Sequence, residues 1–78
     1  MSGNHIPLVM VSEGEEVRLV GIRGGLNLKR RLADLGLNIG MTFRVVHVNP
    51  SGPLILAVKD SRLALGRGMA HKVMVEIV

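Results

Sequence analysis

Seventy-eight residues leave room for one domain and one core. Ten lysines and arginines stand against six carboxylates, a net charge of +4 that favours anionic partners and says nothing about fold. The absence of cysteine excludes disulfides and thiolate metal sites, no run of five like charges offers a nucleic-acid tail, and no apolar run approaches the ~18–20 residues of a membrane span.

A domain of this size buries only about 60–65% of the surface its unfolded chain exposes, so its stability rests on aliphatic packing. Eleven Leu, eleven Val and five Ile accompany a single Phe and no Trp or Tyr. That is more apolar material than so small an interior hides. A contiguous exposed patch of it would mark a contact site.

Residues 1–5 are small and polar and read as a flexible N-terminus; residues 6–78 read as a single domain. The first residues lack a basic stretch followed by a long apolar run, so no secretory signal is expected. Ile6 to Val11 is apolar but interrupted by Pro7, which suits a sheet edge or a strand start. Ser12-Glu13-Gly14-Glu15 is a turn. Glu16 to Arg23 reads as a strand, with Gly21 marking a bulge or a close backbone approach.

The stretch from Gly21 to Gly40 holds the one clear helix. Leu28, Leu32 and Leu35 stand at i, i+4 and i+7 and share a face. The spacing predicts a helix over about residues 28–35, roughly 12 Å long at ~1.5 Å per residue. Gly24-Gly25 make the turn into it, Asn27 is the expected N-cap, and Gly36 the left-handed residue that ends it. Gly40 is expected to supply a positive φ in the next connection. A helix this short is marginal alone in water, so Leu28, Leu32 and Leu35 are assigned to a core shared with neighbouring strands.

Met41 to Val48 reads as a strand with Phe43, Val45 and His47 on one face, and Phe43 is placed in the core. Asn49-Pro50-Ser51-Gly52-Pro53 is dense turn chemistry. Leu54 to Val58 is the returning strand, Lys59 to Arg62 a turn, and Leu63 to Leu65 a short strand. Residues 66–71 break the pattern, with a single helical turn expected at 69–72. Val73 to Val78 closes the chain, with Val73, Val75 and Ile77 inward. The sum is a mainly β protein: five to six short antiparallel strands with one short inserted helix. A small, partly open barrel of the SH3-like kind is the economical arrangement, because closure removes sheet edges.

Function classes can be weighed residue by residue. Ser12 and Ser51 sit in turns, with no nucleophile elbow, and no nucleophile, base and orienting group can be named together, so the chain is not expected to be an enzyme. His5, His47 and His71 lie far apart without ligand spacing, so neither a metal site nor a cofactor is assigned to the monomer. The double glycine before a helix, beside Arg23, Lys29 and Arg30, invites a phosphate-binding reading. The Gly-Lys-Ser/Thr pattern of phosphate loops is absent, and a tight strand-to-helix turn accounts for the glycines. Nucleic-acid binding by stacking wants exposed rings, and the one aromatic is assigned inside. Proline-rich ligands want the same aromatic lining. What remains is a protein-binding module. Its candidate surface is the outer edge of the helical stretch, where Arg23, Lys29 and Arg30 rim Leu26.

The order of these features resembles the FeoA family of small cytosolic proteins of bacterial ferrous iron transport. The resemblance lies in Glu13-Gly14-Glu15 leading into a strand, and in Ile22-Arg23-Gly24-Gly25 followed by Leu32-Ala33-Asp34-Leu35-Gly36-Leu37 and Gly40. It continues in Asn49-Pro50-Ser51-Gly52-Pro53 before a strand, and in Leu63-Ala64-Leu65 followed by Ala70 and a β-branched closing strand. Gly66-Arg67-Gly68 departs from the charged helix formers that often follow in the family. The resemblance implies an SH3-like barrel with a helical insertion and a non-enzymatic, cytoplasmic accessory role. It also implies a partner, the cytosolic GTP-binding domain of the FeoB membrane transporter, with no direct insertion into the membrane. The alternative is a detached SH3-like regulatory domain that contacts a metal-dependent repressor or nucleic acid. The aliphatic surplus further suggests a homo-oligomer through exposed strand edges.

Overall fold

The computed structural model describes residues 4–78; residues 1–3 of the expected flexible N-terminus lie outside the described residues, and Asn4 and His5 are exposed. Among the described residues the chain forms strands β1 (Ile6–Pro7), β2 (Glu16–Ile22), β3 (Thr42–His47), β4 (Leu54–Val58), β5 (Ser61–Leu65) and β6 (Val73–Ile77). Helix α1 (Leu26–Asp34) lies between β2 and β3, and the short helix α2 (Arg67–Ala70) between β5 and β6. The apolar run after Pro7 is a 3-10 turn, Leu8–Met10, rather than more strand.

The strands form one antiparallel sheet in the order β1-β6-β2-β3-β4-β5, so β1 and β5 are its edges and the barrel stays open between them. Alternation builds the interior. Val17 and Leu19 of β2, Phe43 and Val45 of β3, Leu54, Leu56 and Val58 of β4, and Val73 and Val75 of β6 are all buried. Leu8, Leu32, Leu37 and Ala70 cover this face from the turn, the helices and the loop after α1. The β2–β6 register shifts between Leu19 and Gly21, where the bulge was expected.

Several expectations are corrected. The helix begins at Leu26 with Gly25 as N-cap, and no side chain caps it. Asn27 falls inside the first turn, because Gly24, at φ +156°, turns the chain early enough for the amide of Lys29 to reach the carbonyl of Gly25 at 3.3 Å. Leu35 is 41% exposed, not core. The helix ends in a Schellman motif: Gly36, at φ +93°, donates to the carbonyl of Ala33 (2.9 Å) and Leu37 to that of Leu32 (2.8 Å). That reversal turns Leu37 inward to the place that simple periodicity gives to Leu35.

His47 leaves the face of Val45 because β3 carries a bulge at Val46: Val45 pairs with Leu56, but His47 pairs with Ile55. Glu13 holds the bulge, its Oε2 accepting from the Val48 amide at 2.7 Å and lying 3.1 Å from His47 Nδ1. Ile77, expected inward, is exposed on the last rung of β6 against β2. The expected turn at 69–72 starts earlier, at Arg67, whose guanidinium donates to the Asn49 carbonyl at 2.9 Å and ties α2 to the β3–β4 loop. Strand β5 likewise starts at Ser61, leaving Lys59 and Asp60 as the hairpin turn.

A candidate protein-docking groove

Helix α1 buries Leu32 and half-buries Leu28 against the sheet. Leu26, Lys29, Arg30 and Ala33, at i, i+3, i+4 and i+7, form a stripe on its outer side. After the Schellman turn the chain doubles back beside this stripe. Residues 37–40 are fixed there by backbone bonds: Gly40 donates to Leu19 at 2.8 Å, Leu19 to Met41 at 2.9 Å, and Met41 to Asn38 at 3.2 Å. Gly40 sits at φ +98°, the positive φ expected of it.

Between helix and loop lies an open groove of about 310 Å³. It is lined by the half-buried Ile22 at the end of β2, by buried Leu37 and exposed Ala33, Asn38 and Ile39, and by the exposed cations Lys29 and Arg30, which make its charged lip. Ile39 is 56% exposed although it is a large aliphatic. The lip cations enter no ion pair among the described residues. Among the described residues the ion pairs are Arg18–Glu76 (2.9 Å) and Arg44–Glu16 (3.8 Å), with His47 Nδ1 3.1 Å from Glu13, and none of these contacts involves Arg23, Lys29, Arg30 or Arg31. From Val17 to Lys59 the one carboxylate in the sequence is Asp34.

Of the residues singled out from sequence, Lys29 and Arg30 line the groove; Arg23 and Leu26 do not line it but are exposed, Leu26 by 64%. Ile22, Ala33 and Ile39 escaped the sequence reading. Ile39 alone left a trace, an aliphatic side chain inside the turn Asn38-Ile39-Gly40. Among the described residues no group of three or more His, Cys, Asp or Glu is placed to hold a metal ion, and no helix is long and apolar enough to cross a membrane. An apolar lining beside exposed cations can bind a side chain and a carboxylate.

Residues 6–77 match the FeoA domain. The chain belongs to the FeoA family. A protein of Methanocaldococcus jannaschii, provisionally named Fe(2+) transport protein A, is 44% identical over 70 residues, covering 90% of this chain and 84% of that relative. The crystal structure of an iron uptake regulatory protein, FeoA, superposes with a TM-score of 0.89 at 36% identity, covering 96% of this chain and all of that one. This FeoA-family fold, the expected SH3-like one, also occurs within larger chains. A manganese-dependent transcriptional repressor matches all of this chain over 44% of its own length, with a TM-score of 0.87 at 18% identity, a likeness of fold alone.

Proposed function

We propose that this chain is a non-enzymatic accessory protein of ferrous iron uptake that works at the cytoplasmic face of the membrane. It docks on the cytosolic GTP-binding domain of an FeoB-type transporter through the α1 groove and its cationic lip. The observation that carries the reading is an apolar groove rimmed by unpaired Lys29 and Arg30 on an FeoA-family chain. Apolar centres with charged rims are what transient protein interfaces use, the centre for affinity and the rim for orientation and on-rate.

The regulatory effect follows from differential affinity. A module that binds one nucleotide state of a GTPase tenfold more tightly than the other biases that equilibrium by ~1.4 kcal/mol. The test is calorimetric titration of the transporter's cytosolic domain, loaded with GDP or with a non-hydrolysable GTP analogue. Binding to the two forms with different affinities supports the reading; equal affinities refute the regulatory part, and no binding refutes the partner.

The fold shared with the manganese-dependent repressor favours one second reading, a detached regulatory domain that contacts a repressor or nucleic acid. It predicts a salt-sensitive mobility shift of DNA or RNA. No shift at low salt removes its nucleic-acid form.

A further inference from the structure

We infer that the groove is a receptor for a short acidic–aliphatic segment of its partner. One or two branched aliphatic side chains enter between Ile22, Ala33 and Ile39, and a flanking carboxylate is held by Lys29 or Arg30. This rests on the docking reading above and adds the chemistry of the segment bound.

Size sets the first limit. At about 310 Å³ the groove stands at the bottom of the ~300–1,000 Å³ range of small-ligand sites, enough for one or two side chains. It is too small for a whole amphipathic helix, which needs a row of anchors at i, i+3, i+4 and i+7. Chemistry sets the second. No aromatic side chain lines the groove, and the one ring in the chain, Phe43, is 3% exposed, so neither stacked bases nor a polyproline helix finds a platform. The apolar lining is aliphatic, which suits Leu, Ile or Val.

Charge sets the third. No carboxylate lines the groove, and Lys29 and Arg30 enter no ion pair among the described residues. A basic segment is repelled there, whereas a carboxylate gains a charge-assisted bond without displacing an existing partner. Asn38 adds an exposed amide to the lining, able to donate to and accept from the backbone of an entering strand.

The experiment is amide NMR of the full chain titrated with three capped tetrapeptides. One has glutamates flanking Leu-Ile, one has lysines in place of the glutamates, and one has serines in place of Leu-Ile. The expected result is a set of shifts at Ile22, Ala33 and Ile39 with the acidic–aliphatic peptide alone. These shifts are abolished by Lys29→Glu/Arg30→Glu and, independently, by Ile39→Asn.

An equal response to the lysine peptide, shifts confined to other residues, or no response overturns the inference. So do groove shifts that grow with protein concentration alone, which assign the groove to a second copy. Groove shifts on adding phosphatidylglycerol vesicles, with none from the peptides, assign it to lipid and overturn it equally. The transporter's cytosolic domain is titrated in parallel. If that domain moves the groove resonances and the acidic peptide does not, the segment chemistry falls and the docking reading stands. If the peptide binds and the domain does not, the named partner falls and the groove's chemistry stands.

Discussion

Leu37 donates its backbone N–H to the carbonyl of Leu32 at 2.8 Å, and both side chains are buried, so the loop that lines the groove is anchored to the helix that forms its lip. The bond exists because Gly36, between them, adopts φ +93°. Space around a Cβ at Gly36 is open, so substitution there strains the backbone alone. Gly36→Ala is therefore expected to cost ~1–2 kcal/mol, lowering Tm by about 4–8 °C per kcal/mol in a domain of this size. Gly36→Asn is expected to cost less. Thermal unfolding followed by circular dichroism checks the order.

Leu32 and Leu35 separate the structure from the simple periodic reading of the helix. Leu32 is fully buried, and Leu32→Ala is expected to cost about 2–5 kcal/mol. That is a large share of the about 4–12 kcal/mol that a chain of this length possesses. Leu35 is 41% exposed at the helix C-cap, and Leu35→Ala is expected to cost no more than about 1 kcal/mol. Urea unfolding of the two variants decides; equal losses would restore Leu35 to the core.

Glu13 caps the bulge of β3 from a distant turn. Glu13→Ala leaves the Val48 amide without its 2.7 Å acceptor. Because the Glu13 side chain is half exposed, the expected cost is only about 1 kcal/mol. The sharper sign is local: hydrogen exchange at Val48 quickens, while exchange at Val17 and Leu19 in the central strand changes no more than global stability requires.

Arg67 is the tie between α2 and the β3–β4 loop. Arg67→Ala removes the donor to the Asn49 carbonyl and is expected to cost about 1–2 kcal/mol, since the bond is charge-assisted and partly buried. Faster amide exchange in residues 51–52, with little change at the groove, is the expected signature.

What was legible in the sequence, and what was not, divides by physical range. The strand after Asn49-Pro50-Ser51-Gly52-Pro53 and the helix end at Gly36 were readable because their signals are local: a turn residue acts on its own φ and ψ. The helix start was misplaced because cap propensity favours Asn27 over Gly25, whereas the entry angle set by Gly24 decides. Leu37 replaced Leu35 because a periodic count does not see the reversal that a Schellman motif imposes. The bulge that turns His47 outward lies in the run Val45-Val46, which carries no glycine to mark it. The outward placing of Lys29 and Arg30 was legible, since they fall off the face shared by Leu28 and Leu32. The groove's apolar lining was not: Ile22, Ala33 and Ile39 come from a strand, a helix and a loop, and only the tertiary fold brings them together.

The central claim is that an FeoB-type cytosolic domain docks on the α1 groove. Its most direct measurement is a titration of that domain with the wild-type chain, with Lys29→Glu/Arg30→Glu, and with Arg62→Glu, a charge reversal on edge strand β5 away from the groove lining. The lip residues are exposed and unpaired, so all three proteins should unfold within a few degrees of one another. The predicted result is at least a tenfold loss of affinity for the double lip variant, ~1.4 kcal/mol or more, and wild-type affinity for Arg62→Glu. Wild-type affinity for the lip variant, or an equal loss for both, would contradict the assignment.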